Sequence, residues 1–415
     1  MGSVDSWVDF WGRRGLARPA IAVGAQATTS GALADRGSRL AAGLAGAGAA
    51  PGSRIGVLSD DPVRVIEVIA ACARLGAIAV PMDPASDPQR LRAIAAGADL
   101  STLVTDSGLA AVLAPVLPPD RTFAGGPGGG PADAGTRRFG ELLGQGHLSG
   151  AGVTGMDEPL LLLHTRGTTG APRAAVLTHA NVEAVAVAAI AADGLVPPDC
   201  VGIALPSVVT PTGLATVLGA LHAGALIRFS GQDGPAALLG NGNLARSTVL
   251  VTTCEQLGSA GLSGRLAAGG DAGPRLVKVP GPVPTELRRT CQSLGIPLVE
   301  MYGLAEGGGL NLQQSPGRPP SGRPVPPLVP VLGQQARVVD AAGATVPAGQ
   351  PGELVLAGSA VMRGYQNAGA ERLPGDGWLR TGDLAVADQD GSLTILGRCP
   401  ATSTPSAESM SREQP

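Results

Sequence analysis

The chain is poor in aromatic residues and in lysine. Aromatic side chains make up 2% of the 415 residues, and Lys278 is the only lysine, so arginine carries nearly all of the positive charge. A core with few rings has to be built mainly from leucine, valine, isoleucine and alanine. The sequence contains only two tyrosines, Tyr302 and Tyr365, and each of them therefore calls for an explanation.

Long apolar runs and a strong net charge are also lacking. No apolar run reaches the roughly 18 residues that span a bilayer, and the net charge of −3 provides no electrostatic basis for binding nucleic acid. The first residues, MGSVDSWVDFWGRRG, contain no long apolar segment of the kind found in signal peptides. Membrane and nucleic acid are therefore excluded as first hypotheses.

The cysteines are few and lie far apart, without the CxxC spacing of common zinc sites. They are Cys72, Cys200, Cys254, Cys291 and Cys399. This pattern predicts a reduced, cytoplasmic protein without a zinc site.

Strands alternate with helices along most of the chain. RIGVLSD (54–60) is an apolar run of strand length; Asp61 can cap the helix that follows, and Pro62 occupies a favourable first helical position. The unit repeats with the strand AIAVPMD and a helix that opens at Asp87 and Pro88. This alternation predicts an α/β fold, with mostly parallel sheets flanked by helices.

The pattern changes near residue 325. From there the sequence has short strands separated by Pro/Gly turns, and DQDGSLTIL predicts a hairpin with its turn at Asp390 and Gly391. We expect residues 1–324 to form the α/β part of a large domain and residues 325–398 a small β-rich subdomain of it. The polar, Ser/Pro-rich tail 399–415 is predicted to be disordered.

The segment HTRGTTGAPRAAVLTH (164–179) contains a Gly-rich turn directly after the buried strand PLLLLH. Such a turn leaves backbone N–H groups free to face an anion, and Thr165, Thr168 and Thr169 add hydroxyl donors. This is chemistry suited to binding phosphate. The spacing is not that of a Walker A loop, and taken alone the segment is equally compatible with a simple tight turn.

TRGTTGAPRAAVLTH resembles the phosphate loop of the adenylate-forming superfamily, which contains acyl-CoA synthetases, luciferases and the adenylation domains of peptide synthetases. Four further segments resemble that family's motifs and follow in its order. They are MYGLAE (301–306), PGELVLAGSAVMRGY (351–365), GWLRTGDLA (377–385) and GSLTILGR (391–398). The resemblance extends over almost the whole chain and implies the large N-terminal domain of such an enzyme.

The resemblance implies ATP and Mg²⁺ as cofactors. Glu306 and Thr168 would bind the metal, since Mg²⁺ prefers hard oxygen ligands. Tyr302 would stack on adenine, with Gly281 and Gly303 nearby, and Asp383 would accept hydrogen bonds from both ribose hydroxyls. Arg398 would lie on the ribose or phosphate side. The residues implied around the phosphates are Thr165, Gly167, Thr168, Thr169 and Gly170.

Each of these residues also has a structural alternative. Asp383 can be a solvated turn residue, Glu306 a helix-capping carboxylate and Arg398 a surface charge. For the acid substrate, the resemblance implies Gly303, Thr210 and His179, although packing in a loop is the simpler interpretation of His179. Tyr365 falls in the RGY turn, where a structural role is favoured.

The departures from the family pattern concern the phosphate loop and the acid side. Arg166 replaces the usual serine and Arg173 the usual lysine; together with Thr168 and Glu306 they complete the implied catalytic set. A planar guanidinium is not a simple substitute for a compact ammonium group. His164 stands where a tyrosine is frequent, and Thr210 lies nearest to a position that many relatives fill with histidine.

The end of the chain also departs from the family pattern. Family members continue after GR with a mobile lid domain that carries a lysine acting at the α-phosphate, whereas this sequence has Ala401 near the hinge position and stops at Pro415. No lid is expected from this sequence. Lys278 does not align with the missing lysine, because it precedes the segment that leads to Gly281.

The sequence therefore predicts ATP- and Mg-dependent adenylation of a small carboxylic acid, with release of pyrophosphate. The acyl group would pass to coenzyme A, an amine or a carrier protein, and another chain would supply a lid. One alternative is a non-catalytic scaffold that binds nucleotide or a partner. The other is a lidless enzyme that adenylates an unusual oxyacid or transfers to an amine or carrier protein.

Overall fold

A computed structural model shows two β-sheets surrounded by helices. It describes residues 2–106, 108–125, 135–144, 146–148, 155–165, 172–231, 234–239, 247–259, 264, 266, 273–315, 326–366 and 377–399. The helices are α1 (Val4–Arg14), α2 (Ser30–Gly46), α3 (Pro62–Leu75), α4 (Pro88–Ala98), α5 (Ala110–Leu113), α6 (Phe139–Leu143), α7 (His179–Asp193), α8 (Pro211–Ala223), α9 (Cys254–Gly258) and α10 (Thr285–Ser293).

The strands are numbered in chain order. They are β1 (Pro19–Val23), β2 (Gln26–Thr29), β3 (Arg54–Leu58), β4 (Ile78–Met82), β5 (Thr102–Thr105), β6 (Thr122–Ala124), β7 (Arg137–Arg138), β8 (Pro159–His164), β9 (Ala174–Thr178), β10 (Cys200–Ile203), β11 (Leu226–Phe229), β12 (Val249–Val251), β13 (Leu276–Pro280), β14 (Leu298–Tyr302), β15 (Leu312–Gln314), β16 (Leu328–Pro330), β17 (Gln334–Val339), β18 (Pro351–Gly358), β19 (Gly364–Tyr365), β20 (Leu379–Ala387) and β21 (Leu393–Arg398).

Both sheets combine a parallel part with antiparallel strands. The larger sheet has the order β17-β18-β20-β21-β16-β15-β14-β13-β12-β10-β11-β1-β2, and its strands from β14 to β1 pair in parallel. The smaller sheet has the order β19-β9-β8-β4-β3-β5-β6-β7, with parallel pairing from β8 to β7. The predicted α/β class, with parallel-containing sheets flanked by helices, is confirmed.

The predicted helix starts follow from local chemistry. The side chain of Asp61 accepts a hydrogen bond from the amide of Val63, Pro62 is the first residue of α3, and Gly76 ends the helix in the left-handed region at φ 73°. Asp87 caps α4 in the same way, through the amide of Arg90. Each cap satisfies a backbone N–H group that has no partner within the helix.

The main hydrophobic core lies between the two sheets and is largely aliphatic. It combines Val57 and Leu161 of the smaller sheet with Ile227 of the larger sheet, and Val182 and Leu214 contribute from α7 and α8. Leucine, valine, isoleucine and alanine dominate this cluster, as the scarcity of rings requires. No described helix combines the length and the hydrophobicity needed to cross a membrane.

The larger sheet passes through the predicted boundary at residue 325. β15 and β16 pair in antiparallel fashion, with Leu312 opposite Pro330, and β16 continues to the hairpin of β20 and β21. β19 instead joins the smaller sheet, where it pairs with β9. The division at 324/325 stays a prediction. In the described part of 325–398 the strands form an extension of the larger sheet and also reach the smaller one.

The single lysine forms a buried ion pair. Lys278 in β13 is 1% exposed, and its Nζ lies 2.7 Å from each carboxylate oxygen of Asp193, which is 4% exposed. Gln313 donates a further hydrogen bond to Asp193. Asp193 is the last residue of α7, where the helix dipole disfavours a negative charge. Lys278 and Gln313 compensate for that charge, so the lysine is structural.

We expect Lys278→Met to lower the free energy of unfolding by about 3–5 kcal/mol, because it leaves the Asp193 carboxylate buried without its counter-charge. Urea denaturation measures the change. The double variant Lys278→Met/Asp193→Leu should recover most of the loss, and Arg13→Met, which removes an exposed ion pair with Asp9, is the control. A single variant as stable as the parent would contradict this account of the pair.

Candidate active site

Several of the predicted site residues meet at the carboxyl edge of β13 and β14. These neighbouring strands are parallel, with Pro280 opposite Met301. Gly281 follows β13 and donates its amide hydrogen to the carbonyl of Met301 at 3.0 Å, while Tyr302 ends β14. Ligands of open α/β sheets bind outside this edge of the strands.

Gly281 leaves open space at this edge. Its φ of 81° lies in the left-handed region that favours glycine. An added Cβ would meet no atom within 4 Å. The main chain therefore presents a surface without a side chain beside the end of β14.

Tyr302, Asp383 and Arg398 form one hydrogen-bonded cluster. The Tyr302 hydroxyl donates to Oδ2 of Asp383 at 2.6 Å, and Nη1 of Arg398 donates to Oδ1 at 3.1 Å. Asp383 and Arg398 lie directly opposite each other on β20 and β21. Burial and the charge of Asp383 raise the pKa of Tyr302 far above its usual range, so this phenol stays protonated and remains a donor.

Thr381 holds the Asp383 backbone in place. Its hydroxyl donates to the carbonyl of Leu354 at 2.7 Å and accepts from the amide of Asp383 at 3.0 Å. Arg398 also donates to the carbonyl of Thr381 at 3.0 Å. The Asp383 carboxylate therefore accepts hydrogen bonds from β14 and β21, and Thr381 ties the Asp383 backbone to β18.

Glu306, Tyr365 and Arg173 form a second cluster. Glu306 lies in the short 3₁₀ turn Ala305–Gly307, and its Oε1 accepts a hydrogen bond from the Tyr365 hydroxyl at 2.7 Å. The guanidinium carbon of Arg173 lies 3.6 Å from the centroid of the Tyr365 ring. One tyrosine thus contacts two of the predicted catalytic residues.

The two ends of the predicted phosphate loop are held together by hydrogen bonds. The amide of Thr165 donates to the carbonyl of Arg173 at 2.9 Å, and the amide of Arg173 donates to the Thr165 hydroxyl at 3.4 Å. Arg90 of α4 donates to the carbonyl of Thr165 at 2.6 Å. The predicted residues of the loop interior lie outside the described residues. They are Arg166, Gly167, Thr168, Thr169 and Gly170.

Gly303 and Gly309 together allow three stretches of backbone to approach closely. A Cβ at Gly303 would collide with the carbonyl of Gly309, and a Cβ at Gly309 would collide with the carbonyl of Pro211. The loop after β14 therefore packs against the start of α8. Thr210 caps that helix, because its hydroxyl accepts a hydrogen bond from the amide of Gly213 at 3.1 Å. The same hydroxyl donates to the backbone carbonyl of Ser207 at 3.2 Å.

His179 is the first residue of α7 and is 2% exposed. Its imidazole lies close enough to the carboxylates of Asp5 and Glu158 to interact with them, and burial lowers its pKa. This environment agrees with packing. A contact between His179 and the acid substrate stays a prediction.

Two residues that the sequence does not single out make contacts close to the predicted site residues. Arg90 donates to the carbonyl of Thr165 at one end of the predicted phosphate loop, and Asn181 of α7 donates to the carbonyls of Ser359 and Val361, just before the RGY turn. Tyr365, for which the sequence favours a structural role, contacts Glu306 through its hydroxyl, and that role stays a prediction. The rarity of tyrosine was the one signal in the sequence that pointed to Tyr365.

Comparison with known proteins identifies the family of the chain. Residues 9–366 match the AMP-binding enzyme family. The chain is 28% identical over 402 residues to feruloyl-CoA synthase from an Amycolatopsis species, covering 95% of this chain and 78% of that protein. It is 29% identical over 394 residues to pyochelin synthetase PchE from Pseudomonas aeruginosa, covering 90% of this chain and 25% of PchE.

The fold matches a solved adenylate complex. o-Succinylbenzoate CoA synthetase from Bacillus subtilis, with its acyl-adenylate intermediate, superposes with a TM-score of 0.82 at 22% identity, covering 94% of this chain and 98% of that structure. The chain belongs to the AMP-binding enzyme family, and the predicted resemblance to adenylate-forming enzymes is confirmed. It is an enzyme of the class that contains acid–CoA ligases and the adenylation domains of peptide synthetases.

His164, at the entrance to the phosphate loop, stays neutral at physiological pH. Burial, with a smaller contribution from the positive charge of Arg90, lowers the pKa of His164 to about 4. Nδ1 of the ring has no hydrogen-bond partner among the described residues. The imidazole therefore adds no further positive charge beside Arg90.

The same pKa makes the fold sensitive to acid. Because the folded pKa lies below the unfolded value of about 6.5, the unfolded chain binds this proton first, and stability falls as the pH drops from 6.5 towards 4. Between about pH 7 and pH 4.5 the parent should lose about 2 kcal/mol more unfolding free energy than His164→Gln. Urea denaturation at both pH values tests this; equal losses would contradict it.

Proposed function

We propose that this chain uses ATP and Mg²⁺ to adenylate a small carboxylic acid and releases pyrophosphate. The observation that carries the proposal is the cluster of Tyr302, Asp383 and Arg398 at the carboxyl edge of β14, beside the open main chain of Gly281. These residues come from three separate segments of the sequence. Their convergence at one edge supports a nucleotide site.

The cluster has the capacity to bind a nucleoside. A carboxylate offers about four acceptor positions, and Asp383 uses one on each oxygen, so two ribose hydroxyls can still be accepted. The hydrogen bond to Asp383 fixes the Tyr302 ring, against which we place adenine. The space beside Gly281 suits the other face of a flat base.

Glu306 fits a magnesium ion. Its carboxylate is a hard oxygen donor, and among the described residues its only side-chain partner is the Tyr365 hydroxyl on Oε1. Oε2 is therefore available to a metal, and we assign the Thr168 hydroxyl as a second ligand. Bound Mg²⁺ would neutralise charge on the phosphates during transfer.

The remaining residues act by positioning and by charge. Hydrogen bonds between Thr165 and Arg173 close the base of the phosphate loop, and we assign Gly167, Thr169 and Gly170 to wrap the phosphates. Arg166 and Arg173 would offset the negative charge of the departing pyrophosphate. Phosphoryl chemistry of this kind depends chiefly on alignment and electrostatic stabilisation.

We place the acid on the side of Gly303, Thr210 and His179. The contact between Gly309 and Pro211, which joins the loop after β14 to the start of α8, supports Gly303 and Thr210 as neighbours. For the acceptor we propose the thiol of coenzyme A, since feruloyl-CoA synthase is among the relatives. The relationship to pyochelin synthetase makes a carrier-protein thiol the second candidate.

Calorimetric titration of MgATP tests the nucleotide site without knowledge of the acid. We expect binding in the micromolar to low-millimolar range, weakened about 100-fold by Asp383→Ala, because two hydrogen bonds between ribose and a charged group are lost. Asp390→Ala, in the turn of the same hairpin, is the matched control and should bind like the parent. Equal affinity of the parent and Asp383→Ala would reject the assignment.

Screening acids by pyrophosphate release then tests the reaction. Mass spectrometry of the product, with coenzyme A, an amine or a carrier protein offered separately, identifies the acceptor. Tight binding of MgATP without acid-dependent pyrophosphate release from any carboxylic acid would contradict the proposed reaction.

A further inference from the structure

The two tyrosines of the chain are used in the same way. Each hydroxyl donates to one of the carboxylates assigned to the nucleotide site, Tyr302 to Asp383 at 2.6 Å and Tyr365 to Glu306 at 2.7 Å. The proposed function explains Tyr302, whose ring would contact adenine. It gives no role to Tyr365.

Backbone pairing places Tyr365 beside the phosphate loop. β19 pairs with β9 in antiparallel fashion, with Tyr365 opposite Ala175, and the amide of Gln366 donates to the carbonyl of Ala174 at 2.8 Å. Arg173 directly precedes β9. Main-chain hydrogen bonds therefore hold the backbone of Tyr365 next to that of Arg173.

The ring offers different surfaces to the two charged groups. The guanidinium of Arg173 lies over its face, where a planar cation gains both stacking and attraction to the π electrons. The carboxylate of Glu306 accepts from the hydroxyl at the ring edge. One side chain therefore contacts a cation with its face and an anion with its hydroxyl.

We propose that Tyr365 is a positioning residue for the metal and phosphate side of the site, an inference that rests on the proposed function. Its hydroxyl fixes Oε1 of Glu306 and leaves Oε2 for the metal, while its ring holds Arg173 at the base of the phosphate loop. Without this tyrosine the guanidinium and the carboxylate can pair directly, which removes a metal ligand and a phosphate-side charge together.

This role also connects the two sheets. Tyr365 lies in the edge strand β19 of the smaller sheet and Arg173 directly precedes the neighbouring β9, whereas Glu306 follows β14 of the larger sheet. The amide of Met362, three residues before Tyr365, donates to the carbonyl of Glu306 at 2.7 Å. The main chain of Met362 and the side chain of Tyr365 therefore both hold the turn that carries Glu306.

The test compares the calorimetric affinities for MgATP and for metal-free ATP in EDTA. Tyr365→Phe keeps the ring under Arg173 but removes the hydrogen bond to Glu306. We expect MgATP affinity to fall about tenfold, the effect of one hydrogen bond to a charged group, with metal-free ATP changed less than about twofold. Tyr365→Leu also removes the platform for Arg173 and should weaken both ligands.

Tyr302→Phe serves as the contrasting variant, because its hydroxyl supports Asp383 on the nucleoside side. It should lower both affinities by the same factor and leave their ratio unchanged. Thermal melting of each variant checks that the fold persists. A merely structural role for Tyr365 would give Tyr365→Phe this same equal loss, which would overturn the inference.

The outcomes also separate the inference from the function on which it rests. If the parent binds MgATP but Tyr365→Phe binds both ligands like the parent, the inference fails and the proposed function stands. If the parent binds neither form of ATP, the proposed function fails and the inference fails with it.

Discussion

The hydrogen bond between Tyr302 and Asp383 is the interaction on which the site depends. It joins the parallel part of the larger sheet, through the end of β14, to the antiparallel hairpin of β20 and β21, across 81 residues of sequence. Because the phenol is buried and stays protonated, it is a permanent donor to the carboxylate. The same bond fixes the Tyr302 ring and the Asp383 oxygens relative to each other, which is what recognition of a nucleoside requires.

The second constraint is the close approach of backbones around Gly303. The loop after β14 contacts the start of α8 so tightly that side chains at Gly303 and Gly309 would collide with carbonyl oxygens. This contact places the loop that carries Glu306 next to the start of α8, which Thr210 caps. Tyr365 and Met362 then hold the Glu306 turn from the other side, through one side-chain and one main-chain hydrogen bond. The candidate metal ligand is therefore positioned from two directions.

Local signals predicted the elements well, because capping and turn chemistry act within a few residues. Asp61 with Pro62, and Asp87 with Pro88, begin helices where expected, and the hairpin turn at Asp390 is confirmed. The extent of the larger sheet could not be predicted from local sequence. Nothing in the residues near position 325 reveals that β16 pairs back onto β15, since sheet pairing is decided by partners distant in sequence. The hydrogen bond between Tyr365 and Glu306 likewise joins residues that are distant in sequence.

By itself, the sequence determined the α/β class, because alternating strands and helices follow from local periodicity and capping. Its resemblance to the adenylate-forming superfamily implied which polar residues would bind ATP. The tertiary structure decided which of those residues meet. It placed Tyr365 against Glu306 across 59 residues and buried the single lysine against Asp193 across 85 residues. Such pairings depend on how strands are ordered in a sheet, and that order arises from the packing of the whole domain rather than from any short segment.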